Sequence, residues 1–335
     1  MNRFVRIAPE VADALSAGRP VVALETAAVT HGLPRDPLAT MPAYLADAGT
    51  PTAVRAAFQG NPAHLGLGLA LAAAVRAEGA IPAVVGVLRG QLVVGLTDDE
   101  LRELASMRDV TKVSARDAAI VAARGGSGGT TVAGTLLACR FAKLPVFATG
   151  GIGGVHRGYA ERPDISADLM AIRETGTLVI TAGAKSILDL PATVEMLDTL
   201  GVPLVGLGTP YFPRFLSAGN AELKVNIEAC DEADAATLFA AHRAMHDARG
   251  MLLCVPPLAD FALPAAVMEQ AIARGLAECA REGAHGPEVT PILLAAVARA
   301  SGGASLATNL AVLIHNARVG ARVALQLGAQ LGKRA

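Results

Sequence analysis

Three apolar runs in this chain end on polar side chains whose types suit chemistry better than packing. LPVFAT (144–149) opens onto GGIGGVHRG (150–158), which carries His156. TLVITA (177–182) opens onto Gly183, Ala184 and Lys185, and between the two runs DISADL sets Asp164 and Asp168 four apart. Earlier, Val21 to Leu24 ends on Glu25, with His31 a turn later. In an open α/β sheet, ligands sit beyond the carboxyl ends of the strands. A lysine, a histidine, carboxylates and bare glycine amides are therefore offered to one crevice, which is the inventory of an enzyme. Lys185 is the most pointed of them. Ser186 and Asp189 have capping-box spacing, which predicts a helix starting there and puts Lys185 at its N-terminal end. The macrodipole disfavours a cation at that end, so part of the amine is left neutral and nucleophilic. An imine-forming lysine fits this placement, and so does a structural lysine paired with Asp168 or Asp189.

Other groups complete the set. GGSGGTTVAGTLLACRFAKL (125–144) reads as a glycine-rich loop entering a helix. Helix N-termini expose unpaired N–H groups that bind anions, and Thr130 and Thr131 add hydroxyls, so a phosphate site or a plain flexible loop is expected. Lys112, on the short strand within VTKVSARD (110–117), points either to solvent or into the site. Asn309 and Asn316 lie seven apart on a long closing helix, hence on one face; such amides usually bond locally. GGIGGVHRG fails as a dinucleotide loop, since the third glycine of GxGxxG is missing and the next strand ends on Gly183 instead of an acid. GAKS lacks the GK of a phosphate-binding P-loop.

The elements that must hold these groups alternate between apolar strands and helices. A helix is expected over 9–18, a strand over 21–24, a helix over 63–78 and a hairpin over 81–96 turning at Arg89-Gly90. Thr97 and Glu100 form a capping box for a helix over 98–106. Strands at 202–209 and 251–257 are separated by a polar stretch, and a helix over 264–282 stops at Gly283. HGPEVTP begins a proline-started helix. Four prolines break residues 35–62 into a loop with small helical pieces, an insertion with the look of a lid. With 52% hydrophobic and 18% charged residues, a large core is assured. A net charge of −1 and only 3% aromatics argue against nucleic-acid and membrane partners. Four scattered cysteines without a CxxC read as buried thiols in a reducing compartment. The N-terminus lacks an apolar signal core, so a soluble cytoplasmic protein is expected.

VVALETAAVTHGLP, VTKVSARD, GGTTVAGT, VFATGGIGGVHRG, DISADL, TAGAKSILDL, HGPEVTP and GGASLATN follow one another in this order. The set resembles the pseudouridine-5′-phosphate glycosidase family, also called indigoidine synthase A-like, over nearly the whole chain. The resemblance implies one domain spanning 1–335, a three-layer α/β/α sandwich on a central mixed, mostly parallel sheet, and a homotrimer. It implies reversible cleavage of pseudouridine 5′-phosphate to uracil and ribose 5-phosphate with a divalent metal, usually Mn2+. By similarity Lys185 is the covalent nucleophile, Glu25 the proton donor and Asp164 the metal ligand. Lys112, Val132 and Ser166, Ala167 and Asp168 match substrate-binding positions. The phosphate is placed near Lys112 and the 130–132 amides, and His156 and Asn309 match further site positions. The chain departs from the family where Glu25-Thr26-Ala27 replaces Glu-Ser-Thr, and in the longer stretch 35–62. Both changes point to an altered base specificity or a remodelled pocket mouth.

Overall fold

The computed structural model describes residues 2–246, 248–283 and 289–332. Residues 284–288, which include the first part of HGPEVTP, lie outside the described residues. The strands are β1 (Val5–Ile7), β2 (Val21–Leu24), β3 (Ile81–Leu88), β4 (Gln91–Val94), β5 (Thr111–Val113) and β6 (Gly128–Thr130). They continue with β7 (Val146–Ala148), β8 (Leu178–Thr181), β9 (Leu204–Leu207), β10 (Ile227–Ala229) and β11 (Met251–Cys254). They form one 11-stranded sheet in the order β1-β4-β3-β2-β7-β8-β11-β9-β10, with β6 pairing β3 and β5 pairing β6. Only the pairings β3–β4 and β3–β6 are antiparallel, so the sheet is mixed and mostly parallel as expected.

Short apolar strands buried on both faces must alternate their side chains between two cores. Val22, Leu24, Val146, Ala148, Leu178 and Ile180 face one core with the helices Ala63–Ala77, Glu232–Met245 and Ala304–Gly332. Val21, Ala23, Phe147 and Val179 face the other, with the helices Pro9–Ser16, Val132–Ala142, Ala167–Arg173, Leu190–Thr199 and Ala265–Glu282. This is the three-layer α/β/α sandwich. Gly320 lets the long final helix lie close on the sheet: a Cβ there would sit 3.2 Å from Ala148, 3.4 Å from Val22 and 3.5 Å from Ile180. Among the described residues no single helix is long and apolar enough to cross a membrane.

The structure corrects several expectations. The polar stretch before 250 contains β10 and the helix Glu232–Met245. Residues 128–130 of the glycine-rich loop are a buried strand, tied by β5 and β3. No helix begins at Ser186. Gly183 bridges Arg214 and Ala184 bridges Ile152, and Ser186 Oγ donates to the Arg214 carbonyl at 2.6 Å. The helix starts at Leu190, with Asp189 as its N-cap accepting the Ala192 N–H at 3.0 Å and a proline in its first turn. Lys185 is therefore set by an extended backbone segment, and the helix-field argument does not apply to it. The stretch 35–62 forms the short helices Ala43–Ala46 and Thr52–Ala56, whose Tyr44, Leu45 and Val54 join Phe58 in the core beside the helix Ala63–Ala77.

Candidate active site

β2, β7 and β8 are adjacent and parallel, so their carboxyl ends open on the same side. β2 delivers Glu25, β7 delivers Thr149, and β8 leads through Gly183 and Ala184 to Lys185. Gly183 has φ +84°, and a Cβ there would meet the Pro213 carbonyl at 2.0 Å, so only glycine makes this turn. The Lys185 backbone N–H then donates to the Ile152 carbonyl at 3.0 Å, which fixes the lysine against the GGIGG loop. Thr149 Oγ1 donates a hydrogen bond to Glu25 Oε1. Behind Thr149, the buried Asn316 Nδ2 donates to the Thr149 carbonyl at 2.7 Å.

Burial pushes the Glu25 carboxyl above the usual carboxylate range. The Thr149 hydrogen bond and the positive charges of Lys185 and Lys112 oppose that rise, while the Asp168 charge adds to it. Lys112 stands on the exposed rim at β5. Although the residue is exposed, partial loss of water around its ammonium pushes it below the usual lysine range, and the Lys185 charge pushes the same way against Glu25 and Asp168. Glu25, Lys112, Asp168 and Lys185 thus form one electrostatic cluster. A carboxyl whose protonated form is favoured, set beside two amines, is suited to give a proton to a leaving oxygen while an amine attacks carbon.

Asp168 is buried at the start of the helix Ala167–Arg173, where Ser166 is the N-cap. Its Oδ1 accepts the Ala133 N–H at 2.9 Å and its Oδ2 accepts the Gly153 N–H at 2.8 Å. It clamps the entrance of the helix Val132–Ala142 to the GGIGG loop. That entrance is not an open anion cradle. The Thr130 N–H goes to Thr26 Oγ1, that of Thr131 to the Val113 carbonyl, and that of Gly134 to Thr131 Oγ1. Among the described residues, the Val132 N–H is the amide in this turn left without an acceptor. The Thr130 hydroxyl corrects the sequence expectation. It is fully buried, donates to the Val85 carbonyl at 2.8 Å and accepts from Thr135, so it faces the core and not a phosphate. Thr131 is half-buried and caps the helix.

Asp164 and His156 stand apart from the cluster. Asp164 is exposed, its carbonyl accepts the His156 N–H, and its Oδ2 lies 3.8 Å from His156 Nδ1. No group of three or more metal-ligating side chains forms among the described residues. One exposed carboxylate fits a hard divalent ion that keeps most of its water, and not a closed protein cage. Asn309 is half-buried on the final helix. His31 is braced between Thr30 Oγ1 at 2.7 Å and the Val110 carbonyl at 3.0 Å. Thr149 was missed in the sequence, although it follows a strand as Glu25 does.

The family model for indigoidine synthase A-like proteins matches residues 52–326. A protein of Herpetosiphon aurantiacus named pseudouridine-5′-phosphate glycosidase is 44% identical over 321 residues, 96% of this chain and 97% of its own length. One of the same name from Chloroflexus aurantiacus is 44% identical over 97% of this chain and 99% of its own length. Among solved structures, the prealnumycin C-glycosynthase AlnA in complex with ribulose 5-phosphate is 37% identical, with a TM-score of 0.85 over 100% of both chains. An indigoidine synthase A-like protein from Thermotoga maritima is 29% identical, with a TM-score of 0.79 over 98% of both chains.

Proposed function

The chain belongs to the indigoidine synthase A-like family, and from that membership we propose that it reversibly cleaves the C–C glycosidic bond of pseudouridine 5′-phosphate, giving uracil and ribose 5-phosphate. The observation that carries the proposal is the delivery of Glu25 and Lys185 to one place from the ends of the parallel strands β2 and β8, on either side of β7. A C-glycoside has no heteroatom leaving group at C1′, so the carboxylate pair of ordinary glycosidases has nothing to protonate. The ribose ring opens instead. The C1′–O4′ bond breaks with electron push from the uracil, and Glu25, whose burial favours its protonated form, gives its proton to O4′. The Lys185 amine adds to C1′ in its neutral form and loses a proton. The C1′–C5 bond then breaks, its electron pair returning to the base, where C5 takes a proton. C1′ remains as an imine on Lys185, and water hydrolyses it to ribose 5-phosphate and free amine.

Lys112, Thr131 and the Val132 amide are proposed to hold the 5′-phosphate, and Ser166, Ala167, His156 and Asn309 to line the substrate. Asp168 is proposed to position the Val132 turn as well as to meet the sugar. Asp164 would hold a divalent ion, expected to be Mn2+, which when bound supplies charge neutralisation beside the phosphate. A homotrimer, supported by the resemblance alone, belongs to the same proposal, as do a cytoplasmic location and a lid role for 35–62, which rest on the sequence reading. The likeness to AlnA over its whole length favours one second reading, a C-glycosynthase joining ribose 5-phosphate to a base other than uracil. Incubation with uracil, ribose 5-phosphate and manganese tests the first reading. Pseudouridine 5′-phosphate is expected, with none from Lys185→Ala, and borohydride should fix sugar mass on the Lys185 peptide. Product with another base alone supports the synthase. No product and no trapped mass leaves a sugar-phosphate-binding protein without catalysis.

A further inference from the structure

Among the described residues the Lys112 ammonium makes no ion pair and no hydrogen bond; Lys185, Glu25 and Asp168 reach it through their charges alone. Where it points therefore depends on β5, which is three residues long and pairs on one side only, with β6. Just before β5, residues 107–110 are neither helix nor strand. They are fastened from the loop that follows Glu25. Arg35 donates to the Met107 carbonyl at 2.7 Å, and His31 Nε2 lies 3.0 Å from the Val110 carbonyl, two residues ahead of Lys112.

The same loop also seats on β6. Residues Ala28–Gly32 form one π-helical turn, a rare geometry met mostly at functional sites. Its Thr30 is buried, while the neighbouring His31 is exposed. A Cβ on Gly129 would lie 2.1 Å from Thr30 Oγ1 and 2.7 Å from the Thr26 carbonyl, so the loop fills the place of that missing side chain. Gly129 is the register partner of Lys112. Partners in register on neighbouring strands present their side chains to one face, so Lys112 leaves β5 on the face that the Glu25 loop covers at β6.

Both ring nitrogens of His31 are engaged, which leaves none free for acid–base work. The Val110 carbonyl can only accept, so Nε2 carries the proton. Nδ1 then accepts from the Thr30 hydroxyl at 2.7 Å, nearer than that hydroxyl's other acceptor, the Thr26 carbonyl at 3.1 Å. Burial pushes the ring below the usual histidine range, helped by the Lys112 and Arg35 charges and opposed by the Val110 bond, which suits this neutral form. We infer that His31 is a positioning residue that fixes Lys112 relative to Glu25, so that the phosphate end of the site and its acid end are held as one piece. The inference rests on the reading that Lys112 meets the 5′-phosphate. His31 then acts on the substrate through Lys112 alone.

A double-mutant cycle tests it, by calorimetric titration of the full chain with ribose 5-phosphate in wild type, His31→Leu, Lys112→Met and the double variant. The Lys112→Met arm confines the measurement to the site that contains Lys112. His31→Leu is expected to weaken binding about fivefold, the contribution of one neutral hydrogen bond, and Lys112→Met about tenfold or more, that of a charge-assisted one. The double variant should bind no more weakly than Lys112→Met, since without the ammonium His31 has nothing left to aim. His31→Gln puts an amide N–H close to the place of Nε2 and should recover most of the affinity. Losses that multiply in the double variant overturn the inference, as does a His31→Gln no better than His31→Leu. An unchanged affinity in His31→Leu with a lowered urea midpoint shows a brace for stability only, and overturns it too. Those outcomes leave the reading of Lys112 standing; a Lys112→Met that binds as tightly as wild type removes that reading, and the inference with it.

Discussion

Exchanging Asp168 for asparagine keeps the volume of the side chain and removes one acceptor. The carboxylate takes the Ala133 and Gly153 N–H groups on separate oxygens, at 2.9 and 2.8 Å. An amide offers one oxygen, so whichever way it turns, an N–H meets an N–H at the other contact. One charge-assisted bond, about 1.5–3 kcal/mol, is lost, and a buried donor without a partner costs about 1–3 kcal/mol more. The sum is about 2.5–6 kcal/mol. With a urea m-value near ~3 kcal/mol/M for a chain of this size, the unfolding midpoint should fall by about 1–2 M. Far-UV circular dichroism across a urea series measures this, with the exposed Glu228→Gln as a charge-removal control. In conditions where both proteins are folded, kcat/KM should also fall, because the clamp aims the Val132 amide and holds the loop against which Lys185 is fixed. A midpoint within roughly 0.3 M of wild type would refute the claim that Asp168 joins the two segments.

Further outcomes are expected. In Thr149→Val the hydrogen bond that favours the Glu25 carboxylate is gone, so the carboxyl rises further; the basic limb of kcat/KM against pH should move up, whereas in Asp168→Asn, which removes a like charge, it should move down. Glu25 also makes stability fall as pH rises from the ordinary carboxyl range through its raised value, because the folded form holds that proton more tightly; the fall should begin at the same pH but end higher in Thr149→Val, as thermal melts across pH would report. Gly183→Ala places a Cβ 2.0 Å from the Pro213 carbonyl at φ +84°, so soluble yield and borohydride trapping at Lys185 should both drop sharply. Phe58→Ala should cost about 3–5 kcal/mol in urea unfolding, since Phe58 is 4% exposed in the core; a loss near zero would mean that 35–62 is a detachable flap.

The regular elements were legible wherever local chemistry and tertiary packing agree. The capping box at Thr97 and Glu100 forms, the hairpin turns at Arg89 and Gly90, and Glu25 follows its strand. Lys185 was legible as a strand-end lysine but not in its setting. Asp189 followed by Leu190 and Pro191 was the stronger helix start, and long-range bridges to Ile152 and Arg214, invisible to local spacing, hold 183–184 out of a helix. Thr130 misled because a hydroxyl at a helix entrance suggests a ligand, while only the pairing of β6 with β3 shows that it turns inward. The helix Glu232–Met245 was hidden because small residues form much of its buried stripe, Ala235 and Ala236 beside Phe239, and small residues give a weak periodic signal. Thr149 looked like the end of a packed strand; its partner Glu25 is 124 residues away.

The grip of Asn316 on the Thr149 and Gly150 carbonyls has a consequence for biosynthesis. Every titratable member of the cluster has left the ribosome by the time residue 185 emerges, yet the helix that braces the Glu25 partner, Ala304–Gly332, is made more than a hundred residues later. At about 5–20 residues per second, translation runs on for roughly 6–25 s before that brace can dock. During that interval the nascent protein carries Glu25, Thr149 and Lys185 without the strut that grips the Thr149 and Gly150 carbonyls, and the bracing of those carbonyls is complete only once residue 316 has emerged.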